Sequence, residues 1–161
     1  MSTPVATASP IPTLESDRLI LRPFRPSDFE PMAAFFADPV SAYYGGPATR
    51  EEAWRKFAVY SGHWLLRGFG PWALQEKATG AYVGLSGLWY PEGWAEPEIT
   101  WALVPGTHGK GFATGGARRA LQAVALRLGA TLEREIAYRH GPAFLYRHVG
   151  LAPLRQAGLR P

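Results

Sequence analysis

The stretch Glu98-Ile99-Thr100-Trp101-Ala102-Leu103-Val104-Pro105-Gly106-Thr107-His108-Gly109-Lys110-Gly111-Phe112-Ala113-Thr114 decides how the rest of this 161-residue chain is read. Glu98 to Val104 is rich in β-branched and aromatic residues and stops at Pro105, which predicts a strand. A glycine loop then runs directly into a helical pattern that continues to about Leu128. Lacking Cβ atoms, Gly109 and Gly111 let successive backbone N–H groups converge on an anion, and the helix N-terminus behind them adds partial positive charge. The loop is therefore suited to phosphate. It is not a Walker A loop, because Lys110 is followed by Gly111 where Ser or Thr would bind magnesium. It also misses the dinucleotide fingerprint, whose third glycine falls at Thr114. On loop chemistry alone, a glycine-rich turn that merely starts a helix explains the pattern equally well.

Upstream of this stretch the period is 2. Trp72 to Glu76, a turn at Thr79-Gly80 and Tyr82 to Trp89 predict a β-hairpin, in which Gly84 and Gly87 remove side chains where another backbone or a ligand lies close. Before Gly68 the period is 3.6. Thr49-Arg50-Glu51-Glu52 is a capping box opening a helix that turns Ala53, Trp54, Phe57, Tyr60 and Trp64 inward. Ser27-Asp28-Phe29-Glu30 has the same form and predicts a first helix carrying Phe29, Met32, Ala33 and Phe36, ending before Pro39. The first strand is Arg18 to Arg22, closed by Pro23. Met1 to Pro12 lacks a charged n-region and an apolar h-region, so it reads as a loose tail and not a signal peptide.

Composition narrows the classes. With 47% hydrophobic and 19% charged residues the chain is globular rather than disordered, and its length suits one domain. It has no Cys, which excludes disulfides, thiolate metal sites and a cysteine nucleophile. No apolar run approaches the ~18–20 residues that span a membrane. A cytoplasmic protein is the expectation. Charge is uneven: residues 1–105 carry 8 basic against 11 acidic side chains, and residues 106–161 carry 9 against 2. A basic last third suits a phosphate-bearing partner, a cofactor or a nucleic acid. His63, His108, His140 and His148 have no cysteine partners, so no metal site is expected, and Trp54, Trp64, Trp72 and Trp101 read as core.

Glu98 to Leu103 followed by Gly109 to Thr114 resembles the acetyl-CoA motif of the GNAT N-acetyltransferase family. Leu14 to Pro23 and Gly68-Phe69-Gly70-Pro71-Trp72-Ala73-Leu74 resemble its ribosomal-protein alanine acetyltransferase-like branch, and the order agrees over roughly two thirds of the chain. The resemblance implies an α/β (α+β) fold, a central mixed, mostly antiparallel sheet flanked by helices. It implies that the backbone of Leu103 and Val104 meets the pantetheine arm of acetyl-CoA, and that Gly109, Lys110, Gly111, Phe112, Ala113 and Thr114 cradle its pyrophosphate. Glu98 matches the family's strand carboxylate, which takes the amine proton directly or through water; paired with a surface Arg it would instead be structural. The reaction implied is direct attack of a primary amine, on a protein N-terminus or a small molecule, on the thioester. No metal is implied.

The chain departs from the family at Gly106 and Gly115, where a Gln or Arg and a Glu are common, and more deeply after Thr114. Too few residues separate Thr114 from Gly129 for the usual fifth strand and fourth helix, and the sequence holds no Asn for the usual Asn-x-x-Ser-like loop. Two continuations fit. In one, that strand and helix are missing, and Leu132 to Tyr138 with Ala143 to Arg147 form a terminal hairpin turning at His140-Gly141-Pro142. In the other, Leu132 to Tyr138 is the fifth, parallel strand and Pro142 to Gly150 a short helix carrying Tyr146 as the acid for the leaving thiolate. The apolar–polar alternation of Leu132 to Arg139 favours the first. The division expected is a tail over 1–13, one N-acetyltransferase domain over 14–150 and a tail over 151–161. A non-catalytic relative that binds CoA or only folds is the alternative, and a basic nucleic-acid module using the arginines of the last third is a weaker one. Strand edges left unpaired by a missing strand favour a homodimer.

Overall fold

A computed structural model describes residues 11–95, 97–127, 131–138 and 141–147. Strands β1 (Leu14–Glu15) and β2 (Leu19–Arg22) lead into helices α1 (Phe29–Ala37) and α2 (Arg50–Arg67), which a short 3-10 segment, Pro39–Tyr44, connects. Strands β3 (Pro71–Glu76), β4 (Tyr82–Trp89) and β5 (Glu98–Leu103) follow, then helix α3 (Phe112–Arg127) and strands β6 (Thr131–Tyr138) and β7 (Gly141–Arg147).

The first five strands form one sheet in chain order, each antiparallel to the next. The sheet expected to be mixed is thus antiparallel throughout the described residues. Strands β6 and β7 pair only with each other, with Tyr138 opposite Gly141 and Ala137 opposite Pro142. This is the hairpin continuation. The parallel strand over 132–138 and the helix from Pro142 are overturned, and Tyr146 lies in β7 instead of a helix. Only two residues separate the strands, a length that closes antiparallel neighbours and cannot start a helix. Gly141 and Pro142, expected in the turn, belong to β7. Residues 148–150 of the alternative helix, and both tails apart from residues 11–13, lie outside the described residues.

Each sheet face has its own core. Leu19, Leu21, Trp72, Leu74, Leu103 and Val83 face α3, which answers with Phe112 and Ala120. Leu85 and Ala102 face Phe29, Met32, Phe36 and Phe57 of α1 and α2. Helix α3 sits close because its central contact is a glycine. A Cβ on Gly116 would lie 3.0 Å from a Leu74 methyl and 3.5 Å from Ser86 Cβ. That proximity offsets the cost of glycine in a helix, about 1 kcal/mol.

Ser86 is fully buried under this contact, and its hydroxyl has no hydrogen-bond partner among the described residues. An orphaned buried hydroxyl costs about 1–3 kcal/mol. Ser86→Ala should therefore hold or raise stability, by about 1 kcal/mol, as read by urea denaturation; a loss of that size would mean the hydroxyl has a partner.

The capping box at Thr49 forms as the sequence predicts. Thr49 Oγ1 accepts from Glu52 N at 3.3 Å, and Glu52 accepts from Thr49 N at 2.7 Å, which holds its carboxyl below the ordinary glutamate range. Gly68 ends α2 in the left-handed conformation at φ 74°. The box expected at Ser27 is replaced. A 3-10 turn, Pro26–Asp28, precedes α1, and Asp28, not Ser27, accepts the free amide of Arg25 at 2.8 Å. Glu30, expected to reach back to Ser27, instead pairs with Arg50 across the helices at 2.5 Å. Asp28 takes the capping role because Arg22 binds it from β2.

Candidate active site

Strand β5 carries the site at both ends. At its start Glu98 is exposed, stands opposite Trp89 of β4 and makes no ion pair with any described residue. No described arginine neutralises it, as the structural alternative of a paired strand-end glutamate would require. Beside it opens a cleft of about 640 Å³ between α2 and the edge of β5, lined by Tyr44, Lys56, Tyr60, Trp89 and Glu98 to Trp101 among others. Burial in its wall pushes the Tyr60 phenol up to about 12, with Tyr44 nearby adding to the effect, so Tyr60 stays a neutral hydroxyl.

At the other end of β5, after a rise of about 17 Å, the chain enters the glycine loop. Thr107 closes the first turn, its amide and hydroxyl both donating to the Val104 carbonyl at 3.2 and 2.6 Å. His108 Nε2 lies 3.2 Å from the Leu103 carbonyl. Gly109 and Gly111 take φ of 75° and 73°, the left-handed region that a side chain would strain. No hydrogen bond among the described residues uses the amides of Gly109, Lys110, Gly111, Phe112, Ala113 or Thr114 as donors. A Cβ at Gly109 would meet nothing. The loop is an open cradle of amides at the start of α3.

Its floor is Phe112, 2% exposed and fixed in the core, with the Lys110 ammonium 5.8 Å and the Arg18 guanidinium 5.3 Å from its ring centre. Arg18, Lys77 and Lys110 line a recess of about 530 Å³ beside it. Sequence reading missed Arg18 because it lies far from the loop in the chain and nothing local marks it.

The backbone of Val104 and Leu103 is more engaged than the acetyl-CoA expectation assumes. Val104 N donates to Val83 O at 3.0 Å, and its carbonyl is taken by Thr107. On the far side of β5 no described strand pairs with it.

Two assignments change. Trp64 and Trp72 are core as expected, at 4% and 1% exposure, but Trp101 at 44% lines the cleft and Trp54 at 52% packs edge-on against Phe29 at the surface. Trp101 sits on an edge strand, where an amphipathic pattern does not tell core from cleft. His63 is structural: it is buried, its Nδ1 donates to Phe69 O at 2.6 Å, and its Nε2 accepts from Tyr90 N at 3.1 Å. Those bonds fix one neutral tautomer and tie α2 to the end of β4. No cluster of three potential metal ligands occurs among the described residues. No described helix is long and apolar enough to cross a membrane.

Comparison with known proteins agrees with this architecture. Residues 18–142 match the family model described as an acetyltransferase (GNAT) domain. The crystal structure of an acetyltransferase from Agrobacterium tumefaciens str. C58 is similar at 27% identity and a TM-score of 0.66, covering 93% of this chain and 100% of that one. A GnaT-family acetyltransferase from Bordetella pertussis, 20% identical, shares the fold at a TM-score of 0.59, over 85% of this chain and 99% of that one. So does a structure from Vibrio cholerae described as a ribosomal-protein-serine acetyltransferase, at 13% identity and a TM-score of 0.54, over 86% and 97%. Because that family model spans residues 18–142, most of the chain, the chain belongs to the GNAT acetyltransferase family.

Proposed function

We propose that the protein is an acetyl-CoA-dependent N-acetyltransferase of the cytoplasm that moves an acetyl group to a primary amine by direct attack. One observation carries the reading: a single strand has at one end a carboxylate, Glu98, that lines a cleft and pairs with no described residue, and leads at the other into amides that no described group accepts from. The residues present fit the co-substrate. The amides of Gly109 to Thr114, aided by the helix N-terminus, would hold the pyrophosphate, with Arg18 and Lys110 adding positive charge. The pantetheine arm would lie along Leu103 and the unpaired side of β5; Val104, whose amide and carbonyl are occupied within the chain, would offer a van der Waals surface there.

Acetyl-CoA supplies an activated acyl group with a thiolate as leaving group. The chain's own part is proton removal and orientation. Glu98 holds the incoming ammonium and accepts one proton from it, directly or through water, which frees the nitrogen lone pair. As the nitrogen bonds to the carbonyl carbon, the carbon–sulfur bond breaks, the electron pair leaves on sulfur, and the nitrogen's surplus proton passes to that thiolate, giving the amide and the CoA thiol. The cleft between α2 and β5 aligns the amine with the strand edge.

The unpaired edge of β5 also favours a second reading, a relative that binds CoA without transferring acetyl. Calorimetry with acetyl-CoA and thiol release over an amine panel separate them. Saturable binding and release are expected, with Glu98→Gln lowering release about a hundredfold and leaving acetyl-CoA affinity unchanged. Binding without release would establish the second reading; no binding at millimolar acetyl-CoA would overturn both.

A further inference from the structure

We infer that the acceptor taken by this cleft is an amine with a flat apolar body and an anionic group remote from the amine, an inference that rests on the acetyltransferase reading above. Six of the thirteen described residues lining the cleft are aromatic: Tyr43, Tyr44, Tyr60, Trp89, Trp94 and Trp101. Three of them hold much of their ring in solvent, Tyr43 at 98%, Trp94 at 42% and Trp101 at 44%. Exposed rings gathered around one concavity mark a binding surface, and their flat faces select a flat apolar body.

The charges stand on opposite walls. Glu98 is on β5, whereas Arg55 and Lys56 come from α2. Neither cation is neutralised within a buried pair. Lys56 Nζ is held 3.4 Å from the Tyr44 carbonyl and 5.2 Å above the Phe36 ring; it makes no ion pair with a described residue, and the Glu52 carboxylate one turn back, itself held by Thr49, feels its charge only at a distance. Arg55 pairs at 2.6 Å with Glu51, one turn back on the same exposed face, a contact of little strength in water. Tyr60 adds a neutral hydroxyl to the same wall. An ammonium therefore seats at Glu98 with the rest of the molecule between the rings, and an anion at its far end meets Lys56 and Arg55. A polyamine would direct its second ammonium at these two cations, which selects against it.

A small molecule or a peptide N-terminus with an aromatic followed by an acidic residue carries this chemistry equally. Calorimetric titration of the full chain, with and without excess CoA, would compare 4-(aminomethyl)benzoate, the peptide Gly-Phe-Glu, benzylamine and spermidine, with thiol release from acetyl-CoA measured in parallel. One or both anionic amines should bind at least about tenfold more tightly than benzylamine and spermidine, and the stronger of the two identifies the source. Lys56→Met, which keeps a stem over Phe36, and Arg55→Ala should each shrink that preference. Trp101→Ala should weaken every aromatic probe, and Leu66→Ala, exposed on α2 away from the cleft, should change nothing. Equal or tighter binding of benzylamine or spermidine, a preference unmoved in Lys56→Met and Arg55→Ala, or no binding of any probe would overturn the inference. Acetyl transfer to spermidine alone would do so while keeping the acetyltransferase reading. Tight binding of the anionic amines without thiol release from any amine would do the reverse.

Discussion

Gly84→Ala is expected to abolish the folded domain, with a loss of about 4 kcal/mol or more. Gly84 lies in β4 at φ 148°, and an added Cβ would overlap the Ala102 carbonyl oxygen and stand 2.9 Å from Leu103 Cα. Both are backbone of the neighbouring strand, so no rotamer change relieves the clash. The residue follows a bulge: Tyr82 is opposite Gln75 and Gly84 opposite Leu74, which leaves Val83 as the extra residue. Val83 then turns its carbonyl to Val104 N at 3.0 Å and Thr107 Oγ1 at 3.4 Å, so the bulge anchors the base of the glycine loop. Gly80→Ala is the control. Its φ is also positive, at 72°, but the nearest atom would be Gln75 Nε2 at 3.7 Å, a flexible side-chain end. That variant should lose only about 1–2 kcal/mol. Urea denaturation followed by circular dichroism distinguishes them; equal midpoints would contradict the close β4–β5 approach.

Asp28→Ala should cost about 3–5 kcal/mol, lowering the melting temperature by about 10 °C for a domain of this size. Asp28 and Arg22 are almost wholly enclosed, with side chains 2% and 5% exposed. Their two parallel bonds measure 2.7 and 2.8 Å, and Arg22 also donates to Gln75 Oε1 and the Pro23 carbonyl. Removing the carboxylate leaves a guanidinium charge in the core and frees the Arg25 amide at the start of α1. Tyr82, beside the pair, does not neutralise it, because burial pushes its phenol pKa well up and keeps it protonated. Replacing both partners, Arg22→Met with Asp28→Leu, should be less harmful than Asp28→Ala alone, since no unpaired charge remains. A double variant less stable than the single one would show that the polar contacts matter beyond charge balance.

These two sites illustrate what local pattern can and cannot reveal. The Thr49–Glu52 box was legible because both partners sit within one turn and nothing else competes for them. At Ser27–Glu30 the same pattern misleads, because Arg22, six residues from Asp28 and in a different element, outcompetes the local partners with a charge-assisted bidentate bond. Gly84 and Gly87 were readable as points of close approach, and each faces a neighbouring strand's backbone. Gly116 carries no local signal beyond the ordinary cost of glycine in a helix; its purpose depends on Leu74 and Ser86 lying across the interface.

The candidate site divides in the same way. The glycine cradle is a property of consecutive residues, since φ at Gly109 and Gly111 and the start of α3 follow from local sterics, and so the sequence alone determined it together with the strand that precedes it. The hairpin ending was favoured by alternation within Leu132 to Arg139, again a local signal. The cleft is otherwise. Tyr60, Arg55 and Lys56 come from α2 and Trp101 from β5, elements far apart in the chain; within their own elements Tyr60 and Trp101 read as core, and nothing local marks Arg55 or Lys56. The packing of α2 over the sheet decided that they surround Glu98, because side-chain periodicity states which face a residue occupies and only tertiary contact states what that face meets.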